Sequence, residues 1–95
     1  MLFGKVVGTV VATKKDPKLE GLKFQLVAGV DAKGKPAKNY VVAVDSVGAG
    51  QGEIVLYATG SSARQTDITN NKPVDAVIMA IVDQWDVDDQ LVFKK

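Results

Sequence analysis

The 95-residue chain contains neither cysteine nor histidine, and these two absences remove the most common reactive side chains of proteins. Without cysteine there is no disulfide framework, no thiolate zinc site and no cysteine nucleophile. Without histidine the chain lacks the side chain that serves most often as a general base or as a metal ligand. The composition therefore predicts a protein that is not an enzyme and that holds no cofactor and no metal.

Strong net charge and long apolar runs are missing as well. The formal net charge is +1, which provides no electrostatic attraction for nucleic acid or an acidic membrane surface. No run approaches the ~20 apolar residues of a membrane span, and Gly4, Lys5 and Gly8 interrupt the apolar start at Met1–Val11. We therefore expect a soluble intracellular protein without nucleic-acid or membrane partners, built as one domain over residues 1–95.

Short apolar segments separated by turn residues are the main structural signal of the chain. Six strands are predicted, of which the first five are the main ones: Leu2–Thr13, Leu22–Val30, Tyr40–Val44, Glu53–Thr59, Val74–Val82 and, after a turn at Asp88 and Asp89, Gln90–Phe93. Glycine at position 34 marks a hairpin turn that needs a positive φ. The pattern predicts an all-β chain, a small five-stranded barrel or a sandwich. One short helical turn is expected at Ser61–Gln65, capped by Ser61 or Ser62.

Two of the predicted strands are apolar on both faces, and a third has one clearly apolar face. The apolar positions of the second strand alternate with Lys23 and Gln25; they are Leu22, Phe24, Leu26, Ala28 and Val30. In the first and fifth strands, both sets of alternating residues are largely apolar. Strands of that kind are normally covered on both sides, and so small a chain cannot cover them by itself. We expect an oligomer that hides the second face, the alternative being unusually apolar edge strands.

The candidate ligand-binding motifs are weak. Gly48, Gly50 and Gly52 superficially resemble a dinucleotide-binding loop, but they lead into a predicted strand and not into a helix, which favours turn or bulge geometry. The acidic residues near the C-terminus lack the glycine and terminal glutamate of a calcium loop, so a solvated turn is the preferred interpretation; they are Asp83, Asp86, Asp88 and Asp89. Trp85 is expected in the core or in an interface.

Arg64 and one pair of carboxylates remain open to more than one interpretation. Arg64 is either an ordinary surface arginine or a planar donor to a carboxylate or carbonyl of a neighbouring subunit. Asp45 and Asp75 could act as paired carboxylates in a small enzyme, although no other catalytic residue type supports that alternative.

Four motifs resemble, in order and spacing, those of one known family. They are K-V-x-G-T-V-V-A-T at Lys5–Thr13, A-V-D-S-V-G-A-G-Q-G-E at Ala43–Glu53, G-S-S-A-R-Q at Gly60–Gln65, and P-V-D followed by A-I-V-D within Pro73–Asp83. This combination resembles the vertex proteins of bacterial microcompartments, the EutN/CcmL-type shell pentamer family of carboxysomes and catabolic compartments. The resemblance covers nearly the whole chain and is least close after Asp83.

The resemblance implies a five-stranded barrel like the oligonucleotide/oligosaccharide-binding (OB) fold. It further implies a homopentamer that caps the vertices of a microcompartment shell in the bacterial cytoplasm, next to hexagonal shell proteins. By the same resemblance, one loop lies near the five-fold axis and a second turn lies at a subunit boundary; they are Val47, Gly48, Ala49 and Gly50, then Ser61, Ser62, Ala63 and Arg64. The main rival is an OB-like barrel that binds single-stranded nucleic acid, since many such binders share this fold.

Overall fold

Five of the seven strands close into a barrel in the computed structural model, which describes residues 1–95. The strands are β1 Leu2–Val10, β2 Phe24–Val30, β3 Pro36–Asp45, β4 Ile54–Thr59, β5 Ala76–Ile81, β6 Gln84–Val87 and β7 Gln90–Lys94. Around the barrel the order is β1-β2-β3-β5-β4, and β6 and β7 form a separate hairpin. The predicted all-β, five-stranded, OB-fold-like barrel is confirmed. No helix is long and apolar enough to cross a membrane.

The third strand was predicted to begin at Tyr40, but β3 begins at Pro36. The turn between β2 and β3 explains the difference. The Asp31 carboxylate accepts hydrogen bonds from the amides of Lys33 and Lys35, each 2.9 Å long. Gly34 completes the turn with φ +83°, as predicted. This tight turn brings Pro36 directly opposite Val30, so pairing starts earlier than the polar sequence of the segment indicated.

Two short 3-10 helices flank the barrel, and they cover Pro17–Leu19 and Gly60–Arg64. The second confirms the predicted helical turn, but the predicted serine cap is wrong. Residue Thr59 occupies the N-cap position without a side-chain cap, and the Ser62 hydroxyl donates to the Thr59 carbonyl at 2.7 Å. The helix begins at Gly60, one residue earlier than predicted, so Ser61 and Ser62 lie inside it and neither stands at the N-cap position.

The barrel interior is small and mostly aliphatic. Its core consists of Val6, Val27, Ala43, Ala49, Val55, Tyr57, Ala76 and Ile78. A second cluster lies outside the barrel, where Ala63 of the second 3-10 helix covers Val44, Ala58 and Val77. Only 18 of the 95 residues are buried, so much of the apolar side-chain surface remains outside both clusters.

The alternation predicted for β2 is present, but its apolar side faces outward. Gln25, Val27 and Gly29 are buried inside the barrel, whereas Leu26 and Ala28 on the opposite face are only half-buried. A polar Gln25 can occupy the interior because its amide makes hydrogen bonds there to a side chain and to a carbonyl. The apolar face of β2 therefore forms part of the outer surface of the barrel.

Gly4 shows how closely the interior of the barrel is packed. A Cβ atom at this position would overlap Cγ1 of Val27 and would lie 2.9 Å from Cε1 of Tyr57. Both neighbours are fully buried, so neither can move aside without disturbing the core. Gly8, on the same strand, has no atom closer than 3.7 Å to the corresponding position.

We predict that Gly4→Ala lowers the free energy of unfolding by about 1–3 kcal/mol, because it overpacks a close-packed core. Gly8→Ala is the matched control, since its new methyl group enters ordinary contact distance of Leu26 and restricts the unfolded chain. Urea denaturation of the two variants measures the difference. Equal midpoints for Gly4→Ala and Gly8→Ala would contradict the packing described for Gly4.

Candidate functional site

A buried carboxylate shapes the loop that follows β3. Asp45 is the last residue of β3 and is 8% exposed. Its Oδ1 atom accepts three backbone hydrogen bonds, from the amides of Val47 at 3.0 Å, Gly48 at 2.9 Å and Ala49 at 3.2 Å. The loop is thus folded around one negatively charged acceptor, which satisfies three consecutive amides that form no strand pairing.

Gln25 on β2 connects this loop to β1, the next strand around the barrel. Its Nε2 atom donates to the Ala49 carbonyl at 2.9 Å and lies 3.4 Å from Oδ2 of Asp45. Its Oε1 atom accepts from the Thr9 hydroxyl at 2.9 Å. Both oxygens of the Asp45 carboxylate therefore accept hydrogen bonds, from the loop amides and from Gln25. Asp75, in contrast, is exposed on the surface. This arrangement gives Asp45 a structural role and removes the support for a catalytic pair.

The glycines of the loop are explained by backbone conformation. Gly48 has φ +74° and Gly52 has φ +86°, so the turn geometry predicted for this segment holds at these two positions. Within the subunit nothing lies within 4 Å of a Cβ atom placed on either glycine. Val47 points outward and is 39% exposed, whereas the Ala49 side chain is buried in the barrel core. The loop therefore presents Val47 and backbone to its surroundings.

Glu53 connects the end of the same loop to Lys95, the residue that follows β7. Its Oε1 accepts from the Gly50 amide at 2.7 Å, and its Oε2 accepts from the Lys95 ammonium at 2.6 Å. The Lys95 hydrogen bond is the main cause that holds the pKa of Glu53 below its ordinary value of 4.5. Sequence reasoning missed this contact, because the two residues are 42 positions apart and no local pattern relates them.

We predict that Glu53 contributes more to the stability of the fold when it is ionised than when it is protonated. Its folded-state pKa is depressed, so this contribution is present above about pH 4.5 and is lost as the pH falls through the folded-state pKa. Glu53→Gln should therefore flatten the acid side of the stability profile, while its amide oxygen can still accept from Gly50. Melting temperatures measured between neutral pH and about pH 3 give the slopes.

The control for this experiment is Glu20→Gln, whose carboxylate lies 3.7 Å from the Lys15 ammonium at an exposed site. It changes the net charge by the same amount as Glu53→Gln but leaves the loop untouched. Its acid slope should match that of the wild type. A Glu53→Gln slope indistinguishable from that of Glu20→Gln would contradict the role given to the Glu53 carboxylate.

We predict that Asp45→Ala releases the loop and destabilises the fold by about 1–3 kcal/mol, because three backbone amides, one of them in a buried hydrogen bond, lose their acceptor. Amide hydrogen exchange at Val47, Gly48 and Ala49 should accelerate relative to exchange in the strands. Asp75→Ala removes an exposed carboxylate that makes no side-chain hydrogen bond, and it should leave these three amides unchanged. Equal exchange in both variants would show that the Asp45 carboxylate does not hold the loop.

The second predicted site lies on the 3-10 helix Gly60–Arg64, on the outside of the barrel. Ala63 is fully buried beneath it, which anchors the helix to the strands below. Arg64 donates from Nη1 to the carbonyl of Val74 in its own chain at 3.0 Å. Ser61 and Ser62 are exposed. The two predicted segments belong to different connections, since one follows β3 and the other follows β4.

The C-terminal hairpin is attached to the barrel by an aromatic stack. The Trp85 ring stacks between Phe3, with centroids 4.3 Å apart, and Phe93, with centroids 5.4 Å apart. The Trp85 Nε1 atom donates to the Ala32 carbonyl at 2.8 Å. Sequence reasoning placed Trp85 in a core or an interface; it forms a small satellite cluster between the hairpin and β1.

Comparison with known proteins identifies the family. Residues 1–83 match the family model described as "Ethanolamine utilisation protein EutN/carboxysome". The chain is 44% identical over its full length to the carboxysome shell vertex protein CcmL of Gloeobacter violaceus, covering 95% of that protein. It is 47% identical, over 87% of its length and 93% of the relative, to the shell vertex protein GrpN of Rhodospirillum rubrum. The chain therefore belongs to the EutN/CcmL family, and the resemblance drawn from its four motifs is confirmed.

Solved structures agree with the family assignment. The structure of Gloeobacter violaceus CcmL superposes with a TM-score of 0.96, covering 100% of this chain and 98% of that chain at 44% identity. The pentameric microcompartment shell protein GrpN of Rhodospirillum rubrum superposes with a TM-score of 0.84 at 45% identity, covering 92% and 99% of the two chains. The barrel is thus shared with these shell proteins, while the hairpin β6–β7 lies beyond the residues that the family model matches.

Proposed function

We propose that this chain is a structural shell protein that assembles as a homopentamer and caps the vertices of a bacterial microcompartment. The observation that carries the proposal is its full-length similarity to shell vertex proteins, including a superposition at TM-score 0.96. In this proposal residues 1–95 form one vertex-protein domain, located in a microcompartment shell in the bacterial cytoplasm. Its partners are its own copies and the hexagonal proteins of the same shell.

The proposed mechanism is geometric and involves no chemical reaction. Flat hexagonal tiles cannot close a polyhedron, so pentamers at the corners supply the missing curvature and seal the compartment. A cyclic pentamer uses a heterologous interface, in which one patch of each subunit meets a different patch of the next. The protein therefore needs two complementary surfaces on different sides of the barrel, and it needs no active site.

The outer surface of the barrel supports assembly. Leu26 lies opposite Val42, and Ala28 lies opposite Tyr40, on the outward faces of β2 and β3. Tyr40 is 67% exposed and Val42 is 48% exposed in the single chain. Contiguous apolar surface of this kind marks interaction sites on soluble domains. The expectation of a covered second face was drawn from the first and fifth predicted strands, and this strip on β2 and β3 adds a further surface that a neighbouring subunit could cover.

The roles of the two predicted segments form part of the proposal. In it, Val47, Gly48, Ala49 and Gly50 lie near the five-fold axis, and Ser61, Ser62, Ala63 and Arg64 lie at a subunit boundary. The Ala49 and Ala63 side chains are buried inside the subunit, so these two residues act by fixing the backbone of their segments. The positive φ of Gly48 lets the axial loop turn without a side chain projecting into the space where five copies meet.

The aromatic residues do not favour the rival nucleic-acid function. Single-strand binders of this fold combine a positively charged groove with free aromatic rings on which bases stack. Here the rings of Phe3, Trp85 and Phe93 stack on one another and Tyr57 is buried in the barrel, so Tyr40 is the one largely exposed ring and forms no series of stacking platforms. With a net charge of +1, the chain offers little general attraction for a phosphate backbone.

The proposal predicts a solution mass of five chains of 10.1 kDa, about 50 kDa. Gly48→Val should reduce the pentamer population because a β-branched residue is strained at φ +74° and would crowd the axis. Arg64→Ala should reduce the pentamer population because it removes the guanidinium group that lies at the subunit boundary. Lys23→Ala, at an exposed position, is the control. Native mass spectrometry measures all three, and equal pentamer yields would contradict the roles of Gly48 and Arg64.

A further inference from the structure

A polar cleft of about 470 Å³ opens beside the second 3-10 helix. Three cationic side chains line it, those of Lys18, Arg64 and Lys72, together with four neutral polar residues and Pro73, and no carboxylate. None of these cations forms an ion pair within the chain, since the two ion pairs present join Lys15 to Glu20 and Lys95 to Glu53. The lining of the cleft therefore carries three positive charges and no carboxylate paired with them.

Arg64 gives the cleft a preoriented hydrogen-bond donor group that can bind an oxyanion. One of its guanidinium N–H groups is bonded to the Val74 carbonyl, which fixes the orientation of the planar fork. Its remaining donors are free for another group, and carboxylates pair with such forks in a bidentate manner. Because Ala63 next to it is fully buried, the helix that carries Arg64 is itself held in place.

The hairpin β6–β7 carries the complementary charge. Its two-residue turn consists of Asp88 and Asp89, with φ +51° and +61°, and Asp86 precedes it on β6. All three are exposed and form no ion pair in the chain. Trp85 attaches the hairpin to the barrel at its base, away from this turn. The acidic turn is therefore presented at the free end of a two-stranded arm that pairs with no barrel strand.

The arm and the cleft lie on opposite sides of the barrel. The base of the arm rests on β1 at Phe3 and on the residue Ala32 that follows β2. The 3-10 helix beside the cleft packs on β3, β4 and β5 through Ala63. In the ring order β1-β2-β3-β5-β4, β5 is the strand farthest from the boundary between β1 and β2. Complementary patches on different sides of a subunit are what a closed heterologous ring requires.

We propose that, in the pentamer, the acidic turn at Asp86, Asp88 and Asp89 of one copy docks in the cleft of Lys18, Arg64 and Lys72 of the next copy. The inference rests on the homopentamer proposed above and adds the identity of the two surfaces that meet. It gives each seam an electrostatic contact that fixes the register of neighbouring subunits. It also fills a polar cleft that would otherwise leave water-filled space beside the seam.

The test inverts the charge of each surface in the full-length protein. The cleft variant combines Lys18→Glu and Lys72→Glu and keeps Arg64 for its bond to Val74. The turn variant combines Asp86→Lys with Asp88→Asn and Asp89→Asn, since asparagine tolerates a positive φ. A third protein carries both sets of changes. The control, Lys14→Glu with Lys23→Glu, changes the charge at two exposed positions outside the lining of the cleft.

Native mass spectrometry of a dilution series gives the concentration at which half of the pentamer dissociates, and thermal melts monitor the fold of each subunit. Cleft and turn variants should each raise this concentration about tenfold or more, because like charges then meet at every seam. The combined variant should return to within about threefold of the wild type, because opposite charges meet again. For the control, the concentration at which half of the pentamer dissociates should also stay within about threefold of the wild-type value.

Failure of the combined variant to recover would overturn the inference, since recovery requires the two surfaces to face each other. Unchanged dissociation in both single-surface variants would overturn it as well, while leaving the vertex function intact. A wild-type protein that is not pentameric at any concentration would instead refute the proposed function. Added salt should weaken the wild-type pentamer, because it shortens the screening length from about 8 Å at physiological ionic strength to about 3 Å at 1 M.

Discussion

A closed barrel of five strands has a single interior, and each strand can turn only alternate residues towards it. That constraint governs the rest of this molecule. The interior holds eight core residues, and Val44, Ala58, Ala63 and Val77 form a second cluster where a 3-10 helix covers the outside. Farther from this helix, the outward residues Tyr40 and Val42 of β3 receive no such cover and remain exposed. A neighbouring copy of the same chain is the simplest structure that covers them.

The small interior also holds one pair of hydrogen-bonded polar side chains, Gln25 and Asp45. Their hydrogen bonds determine the shape of the loop after β3. Gln25 and Asp45 join β1, β2 and the loop through hydrogen bonds that leave no buried side-chain polar atom without a partner. An aliphatic residue at position 25 would fill the barrel equally well but would leave the Ala49 carbonyl without its donor. The polar core thus specifies one conformation of the loop, which is useful where identical loops must meet around an axis.

Sequence reasoning succeeded where the determining interactions are local and failed where they are not. The turn at Gly34 and the short helix after β4 follow from residues within a few positions of each other. The apolar face of β2 was recognised, but its direction depends on the hydrogen-bond partners of Gln25, which lie 16 to 24 positions away in the chain. The pairing of Glu53 with Lys95 has no local signature at all. The four motifs identified the family because their order and spacing are typical of it. They did not show which long-range contact each motif makes.

Every seam of a cyclic pentamer joins the same two surfaces, so both halves of any contact must be encoded in one chain. Five is an odd number, which means that two kinds of subunit with alternating surfaces could not close the ring. The chain meets this requirement with a basic cleft on one side of the barrel and an acidic arm attached to the other. The arm lies beyond residue 83, where the family model ends, whereas full-length carboxysome relatives align across it. The barrel thus provides the shape that the family shares, and the arm provides a means to adjust the strength of the seam without altering that shape.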